Sequence, residues 1–226
     1  MKSRSSTAVI LRKDLLIELR SRESVTAIVL FALSTMVIFH FALQRSLLSG
    51  TLAAGVLWVT LLFASVLAIG RLFSAEREQS AFDGMLLAPI DRTALFFAKA
   101  LALTIYLTAL EIVALPVFLI FFIDAWTGTD LWTLFPIMAL ANLGLATVGT
   151  LVSSIAIKSK SPDLLTPLFM LPLMVPIVIA AAGATGPVFA ASKAAGGSPK
   201  WVLILGLYDT VFLLLAYAVF DYLLEE

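Results

Sequence analysis

The sequence predicts an all-α, polytopic membrane protein with six transmembrane helices. Three observations carry that expectation. Of 226 residues, 61% are hydrophobic and 13% charged, about half the charge of an ordinary soluble domain. Several runs of about 20 apolar residues are each long enough to cross a hydrocarbon core of roughly 30 Å. Lipid also excludes open strands, whose edges would leave backbone groups unpaired, so such runs must be helices. The spans read as 24–43, 50–73, 93–123, 131–157, 164–183 and 201–224. No soluble domain fits between them, which makes residues 1–226 one transmembrane domain.

Before the first span, Ala8, Leu11, Leu15, Leu16 and Leu19 share one helical face, with Arg12, Lys13, Glu18 and Arg20 on the rest. A basic amphipathic helix over residues 8–22 is expected to lie in the membrane interface, its cations toward head groups. It serves as an orienting anchor or as a dock for a cytoplasmic partner. The first span carries His40, the only histidine. One reading makes it an interfacial residue; the other, a haem or metal ligand, lacks the several donors that metal sites usually need.

After the second span comes "SAEREQSAFDGMLLAPID", residues 74–91. Ser80 and Asp83 form an S-x-x-D capping box that starts a short helix, expected over residues 80–88. Phe82, Met85 and Leu86 then fall at i, i+3 and i+4 and make one apolar knob. Pro89 ends the helix, and Asp91 is placed to cap the third span. Glu76, Glu78 and Gln79 lead in. The knob rests either on the bilayer or on a protein. Four acids (Glu76, Glu78, Asp83, Asp91) stand against Arg77. Anionic lipid would repel such a segment, which favours a protein partner.

The third span holds Glu111 near mid-membrane. An isolated carboxylate there costs about 2.5–3.5 kcal/mol, so it must face protein or water. It reads as a substrate-path or proton-relay group, or as a hydrogen-bonded carboxylate that fixes packing. Asp209 in the sixth span invites the same two readings. The fourth span carries Asn142, Ala146, Thr150 and Ser154 at four-residue spacing, a narrow ridge suited to close helix approach. The fifth begins at Ser161 and Pro162, a cap followed by proline at the first helical position. It then holds Pro167, Pro172 and Pro176, which kink or loosen it. Residues 188–195 read as a short external or re-entrant helix, or as a plain loop.

Basic residues orient the chain. Six lie before the first span, four accompany the second connection (Arg71 and Lys99 included), and Lys158 and Lys160 follow the fourth span. Only Arg45, Lys193 and Lys200 lie opposite. The positive-inside rule then places both termini and residues 74–91 in the cytoplasm. The N-terminus is too charged for the apolar core of a secretory signal, so the mature chain is expected to start near Met1. Zero net charge suggests no pull toward nucleic acid. With no cysteine, disulfides and thiolate metal sites are excluded. No G-x-x-x-x-G-K-[ST] run occurs, nor a nucleophile–base constellation or an H-E-x-x-H helix. ATP-driven work would need its nucleotide site on another chain. No inverted repeat of three spans is visible.

Three stretches carry a family resemblance: "LRKDLLIELRSRES", "GVLWVTLLFASVLAIGRLFSAEREQSAFDGMLLAPIDRTALFFAKALA" and "LLTPLFMLPLMVPIVIAAA". Together they make nearly the whole chain resemble the CcmB family, the membrane subunit of the haem-exporter ABC complex of cytochrome c maturation. The family's acidic-Gly pair stands here as Gln79-Ser80, with Asp83-Gly84 following.

The resemblance implies an ABC-2-like permease of the bacterial inner membrane, noncatalytic, whose interface helix and coupling helix sit on a dimeric ATPase. Carried over, the ATPase-coupling residues are Glu76, Glu78, Ser80, Phe82, Asp83, Gly84, Met85, Leu86 and Pro89. Those of the interface helix are Arg12, Lys13, Leu15, Leu19 and Arg20. Expected partners are a CcmA-type ATPase, a second copy of the chain, CcmC-type and CcmD-type membrane proteins, and lipid. Haem is the handled ligand, with no cofactor held tightly by this chain. Two other functions share the residue-level features: an ABC-2 exporter for a lipid, glycan or drug, and an ATP-independent channel or scaffold.

Overall fold

The computed structural model describes residues 11–12, 22–43, 48–78, 92–123, 129–156, 159, 162–190 and 198–223. Within them the chain forms six long helices: α1 Arg22–Ala42, α2 Gly50–Glu78, α3 Arg92–Phe122, α4 Thr129–Ala156, α5 Pro162–Thr185 and α6 Pro199–Leu223. Each is long and apolar enough to cross a membrane. The described residues contain no strand. The six expected spans are therefore present, in the expected order.

Their limits carry information. α2 runs on to Glu78, so Glu76 and Glu78 belong to its last turn rather than to a loop beginning at Ser74. Charged residues with good helix propensity extend the span beyond its apolar part without interruption. α5 starts at Pro162, where a missing N–H costs nothing. Most of the amphipathic segment 8–22 lies outside the described residues, as do residues 79–91; Arg12 itself is helical and exposed.

The bundle is built around α4. In α2 and α4, 67% and 72% of the span is buried, against 17% in each of α1 and α6. α4 touches α2, α3, α5 and α6, which its small residues allow. Asn142, Ala146, Thr150 and Ser154, the ridge read from sequence, are all buried. On the same helix, a Cβ at Gly149 would run into the Ile69 side chain of α2. Small residues bring backbones close, and close packing drives association where lipid supplies no hydrophobic force between helices.

One rim of the bundle is stitched by backbone bonds. Leu48 N–H donates to Phe122 O (2.8 Å) and Gly50 N–H to Phe189 O (2.9 Å). Gly50 takes a left-handed φ of 61° to open α2, a conformation that glycine adopts freely. Phe118 packs on Phe122 and Phe189 at 5.3 and 5.5 Å. Residues 186–189 form hydrogen-bonded turns after α5, so Val188 opens no helix; residues 191–197 lie outside the described ones.

Despite Pro167, Pro172 and Pro176, α5 is unbroken. Its neighbours anchor it. Tyr208 Oη donates to Leu173 O at 2.6 Å, one residue beyond the carbonyl that Pro176 deprives of its donor. Trp58 Nε1 donates to Thr185 Oγ1 at 3.0 Å, holding the last turn to α2. Neighbouring helices thus hold α5 on both sides of its prolines, one way in which membrane helices tolerate them.

A comparison of glycines checks the packing. A Cβ at Gly183 would strike the Trp201 ring, whereas one at Gly55 would meet nothing within 4 Å. Gly183→Ala is expected to lose about 1–3 kcal/mol through overpacking. Gly55→Ala should be neutral or slightly stabilising. Thermal unfolding of the two variants in detergent measures the difference.

Candidate functional site

Two carboxylates predicted from sequence occupy one layer of the bundle. Glu111 on α3 lies about 16 Å along its helix from Phe122, and Asp209 on α6 about 15 Å from Pro199. Phe122 belongs to the stitched rim, and Ser198 N–H, just before Pro199, donates to Ala184 O near the end of α5 at the same rim (3.3 Å). Both side chains are buried, Glu111 to 6% exposure and Asp209 to 2%. α4 passes between them, presenting Asn142 to one and Gly144 to the other.

Asn142 is what holds Glu111. Its Nδ2 donates to Glu111 Oε2 at 2.7 Å and to Thr108 Oγ1 at 3.2 Å. Thr108 lies three residues before Glu111, hence on the same face of α3. Its hydroxyl also donates to Thr104 O at 2.8 Å. The four-residue ridge on α4 thus has a polar member with a defined task. Glu111 Oε1 has no hydrogen-bond partner among the described residues.

Asp209 is enclosed differently. A Cβ at Gly144 would collide with its Oδ1, and Ile177 of α5 closes the same space. Neither carboxylate oxygen has a hydrogen-bond partner among the described residues. The adjacent Tyr208 stacks on Phe212 at 4.6 Å and donates to Leu173 O, so its hydroxyl is committed elsewhere.

Beside Glu111 a groove of about 500 Å³ opens between α3 and α4. Thr108 and Glu111 lie toward one end; Ile112, Trp132, Phe135 and Met138 supply much of the apolar wall. Ile112, Trp132 and Phe135 are 69%, 85% and 67% exposed, so the groove faces outward from the bundle, toward lipid. Sequence reasoning found Glu111 but not the groove. Trp132 and Phe135 were visible only as apolar span residues, and exposure on one face is set by packing.

Other predicted positions do not join this layer. His40 sits within 5.4–5.7 Å of the rings of Phe41, Phe121 and Phe122. The described residues contain no cluster of three metal donors. Glu76 and Glu78 lie at the far end of α2. Ser80, Phe82, Asp83, Gly84, Met85, Leu86 and Pro89 fall outside the described residues, as do Lys13, Leu15, Leu19 and Arg20. Lys99, counted with the second connection in the charge tally, is fully buried within α3.

A bundle with buried mid-span carboxylates suits many membrane proteins; the comparison with known families decides among them. The family described as CcmB protein matches residues 5–223. The chain belongs to the CcmB family. From Bradyrhizobium diazoefficiens, a protein named Heme exporter protein B is 30% identical over 213 residues, covering 92% of this chain and 93% of its own. A Rhodobacter capsulatus protein of the same name is 31% identical over 145 residues, 64% of this chain. That match spans 65% of the relative's length, just under two thirds. A third, from Pseudomonas aeruginosa, is 26% identical over 166 residues and 73% of either chain. The six helices thus describe a CcmB-family membrane subunit, and the Glu111–Asn142 and Asp209–Gly144 pairs lie within the matched region.

The enclosure of Asp209 makes a coupled prediction. Gly144→Ala should destabilise this CcmB-family chain, by roughly 1–3 kcal/mol. In an Asp209→Ala background the obstruction is gone, and the same change should cost little. A double-mutant cycle of detergent melting temperatures reads the coupling; additive single effects would refute the contact.

Proposed function

We propose that this chain is the noncatalytic permease subunit of an ABC-type complex for cytochrome c maturation, coupling ATP hydrolysis on a partner to haem export or to release of a haem-loaded chaperone. The observation that carries the reading is the family match over residues 5–223, supported by relatives named Heme exporter protein B. The sequence holds no phosphate-cradling P-loop, so the energy must enter from a second protein.

The contact for that protein is the segment between α2 and α3. Residues 80–88 combine a capping box, an apolar knob and a net acidic surround, chemistry suited to insertion into a protein socket. α2 and α3 leave and enter this connection directly, so force applied there reaches the core through two helices that both pack on α4. The expected assembly contains a CcmA-type ATPase dimer, two copies of this chain, and CcmC-type and CcmD-type membrane partners in the inner membrane. Haem is the handled ligand. The aromatic flank of the Glu111 groove also favours a second reading, an ABC-2 exporter for another amphiphilic cargo.

Met85→Asp combined with Leu86→Asp should abolish co-purification of the ATPase while leaving detergent-solubilised protein monodisperse. Undiminished ATPase recovery would remove the docking assignment.

Orientation is testable because the chain has no cysteine. Single cysteines at Ser159 and Ser198 should behave oppositely toward a membrane-impermeant maleimide applied from outside. Ser198 is expected to react and Ser159 to react only after permeabilisation; the reverse pattern would invert the topology.

A further inference from the structure

α5 is held unevenly along its length. Among residues 164–172 only Thr166 and Met170 are buried, while Leu164, Leu168 and Phe169 are exposed. After Leu173 the helix is gripped: Met174, Ile177, Ala180, Ala181, Ala184 and Thr185 are all buried. Trp58 Nε1 donates to Thr185 Oγ1, and Ser198 N–H donates to Ala184 O. The Trp201 ring fills the space beside Gly183. The second half of α5 is thus fixed to its neighbours, and the first half meets the core along a narrow seam.

The junction between the halves is where the backbone ladder is thinnest. Pro172 and Pro176 carry no N–H, so the carbonyls of Leu168 and Pro172 lose their helical donors. A helix cross-section is spanned by roughly four such bonds, and here two successive turns each lack one. Sharp helix bends concentrate at proline for this reason. Both prolines face outward, so the core does not brace their rings.

A bond from outside the helix meets that junction. Tyr208 Oη donates to Leu173 O at 2.6 Å, and the Tyr208 ring is stacked on Phe212 at 4.6 Å. Stacking within α6 sets the ring in place, so its hydroxyl reaches α5 as a fixed post.

We propose that α5 is a hinged lever. Residues 162–172 swing about the Pro172–Pro176 turn, residues 174–185 stay fixed, and the Tyr208–Leu173 bond is the latch that keeps the lever straight. The unbroken helix is the latched form. Leu164 stands about 14 Å along the axis from Leu173, so a bend of about 20° moves it about 5 Å. The seam at Thr166 and Met170 opens, and α4 need not slide. Nothing in this device depends on the ATPase contact at residues 80–88, so either assignment can fail alone.

The chain has no cysteine, which allows introduced pairs to carry nitroxide labels cleanly. Leu101→Cys with Leu164→Cys reads the first half of α5 against α3. Ile112→Cys with Ile179→Cys reads the second half against the same helix. All four positions are exposed. Distances are measured by double electron–electron resonance on the full chain in lipid nanodiscs, diluted with unlabelled chain.

The first pair should show a second distance about 5 Å from the main one. Tyr208→Phe keeps the ring and removes the hydroxyl. It should raise the share of that second distance about threefold, the weight of one interhelical hydrogen bond. Pro172→Ala with Pro176→Ala restores both donors without touching the core, and should leave one distance. The second pair should give a single, unchanged distance throughout. A first pair with one distance in both wild type and Tyr208→Phe would overturn the proposal. So would a share unmoved by Tyr208→Phe, a second distance that survives loss of both prolines, or an equal shift in the two pairs.

Discussion

Hydrocarbon offers no partner to a polar group, and every polar atom in this bundle has to be dealt with by another part of the protein. The helices answer in two ways. Most hydroxyls turn back on their own helix: Thr60 to Val56 O, Thr104 to Ala100 O, Thr147 to Leu143 O and Ser154 to Thr150 O, all at 2.7–2.8 Å. They then behave at an interface as small, nearly apolar residues. Others are settled across helices, as Asn142 does for Glu111 Oε2, Tyr208 for Leu173 and Thr185 for Trp58, while Thr150, Ser153 and Asp209 keep side-chain oxygens without a partner among the described residues. α4 takes part in both solutions, and the four helices that surround it can close only because its own side chains are small.

The same constraint makes the proline-rich α5 workable. Each internal proline removes one donor from the ladder and crowds the preceding turn. In an exposed helix this would break the rod. Here Pro172 and Pro176 face outward, while Met170, Met174, Ile177, Ala181 and Ala184 are buried in the core. Packing holds the inner face, and Tyr208 ties the backbone to α6 one residue past the carbonyl that Pro176 frees. Flexible methionines beside a disturbed ladder fit an irregular gap better than branched residues would.

Much of this was legible in the sequence. Composition and run length define six spans because the bilayer sets one thickness and excludes strands, and the observed helices fall on those spans. Proline at 162 and the charged turn ending at Glu78 show where the reading was good and where it was short: capping chemistry is local, whereas a helix leaving the membrane need not stop at the last apolar residue. Glu111 and Asp209 stood out because carboxylates in apolar runs are costly. Their different surroundings could not be read. Asn142 looked like one more member of a small-residue ridge, and its bond to Glu111 depends on the register between α3 and α4. Gly144 carried no signal at all, since a missing Cβ gains meaning only from what occupies its space. The groove was equally hidden, because lipid-facing and core-facing phenylalanines are the same letter.

Register is also what limits how this bundle can move. Asn142 and Gly144 are two positions apart on α4, nearly on opposite faces, and each is matched to a carboxylate on a different neighbour. Sliding α4 by one turn, about 5.4 Å, would replace Gly144 by Leu140 or Val148 where Asp209 now fits, and would carry the Asn142 amide away from Glu111. Both changes cost: one overpacks the core, and the other leaves a buried carboxylate without its donor. A ratchet along α4 is therefore opposed twice at the same level of the membrane. A movement in which α4 travels together with Glu111 and Asp209 leaves both matches intact and is opposed by neither. A groove that lies wholly between α3 and α4 would keep its shape through such a movement.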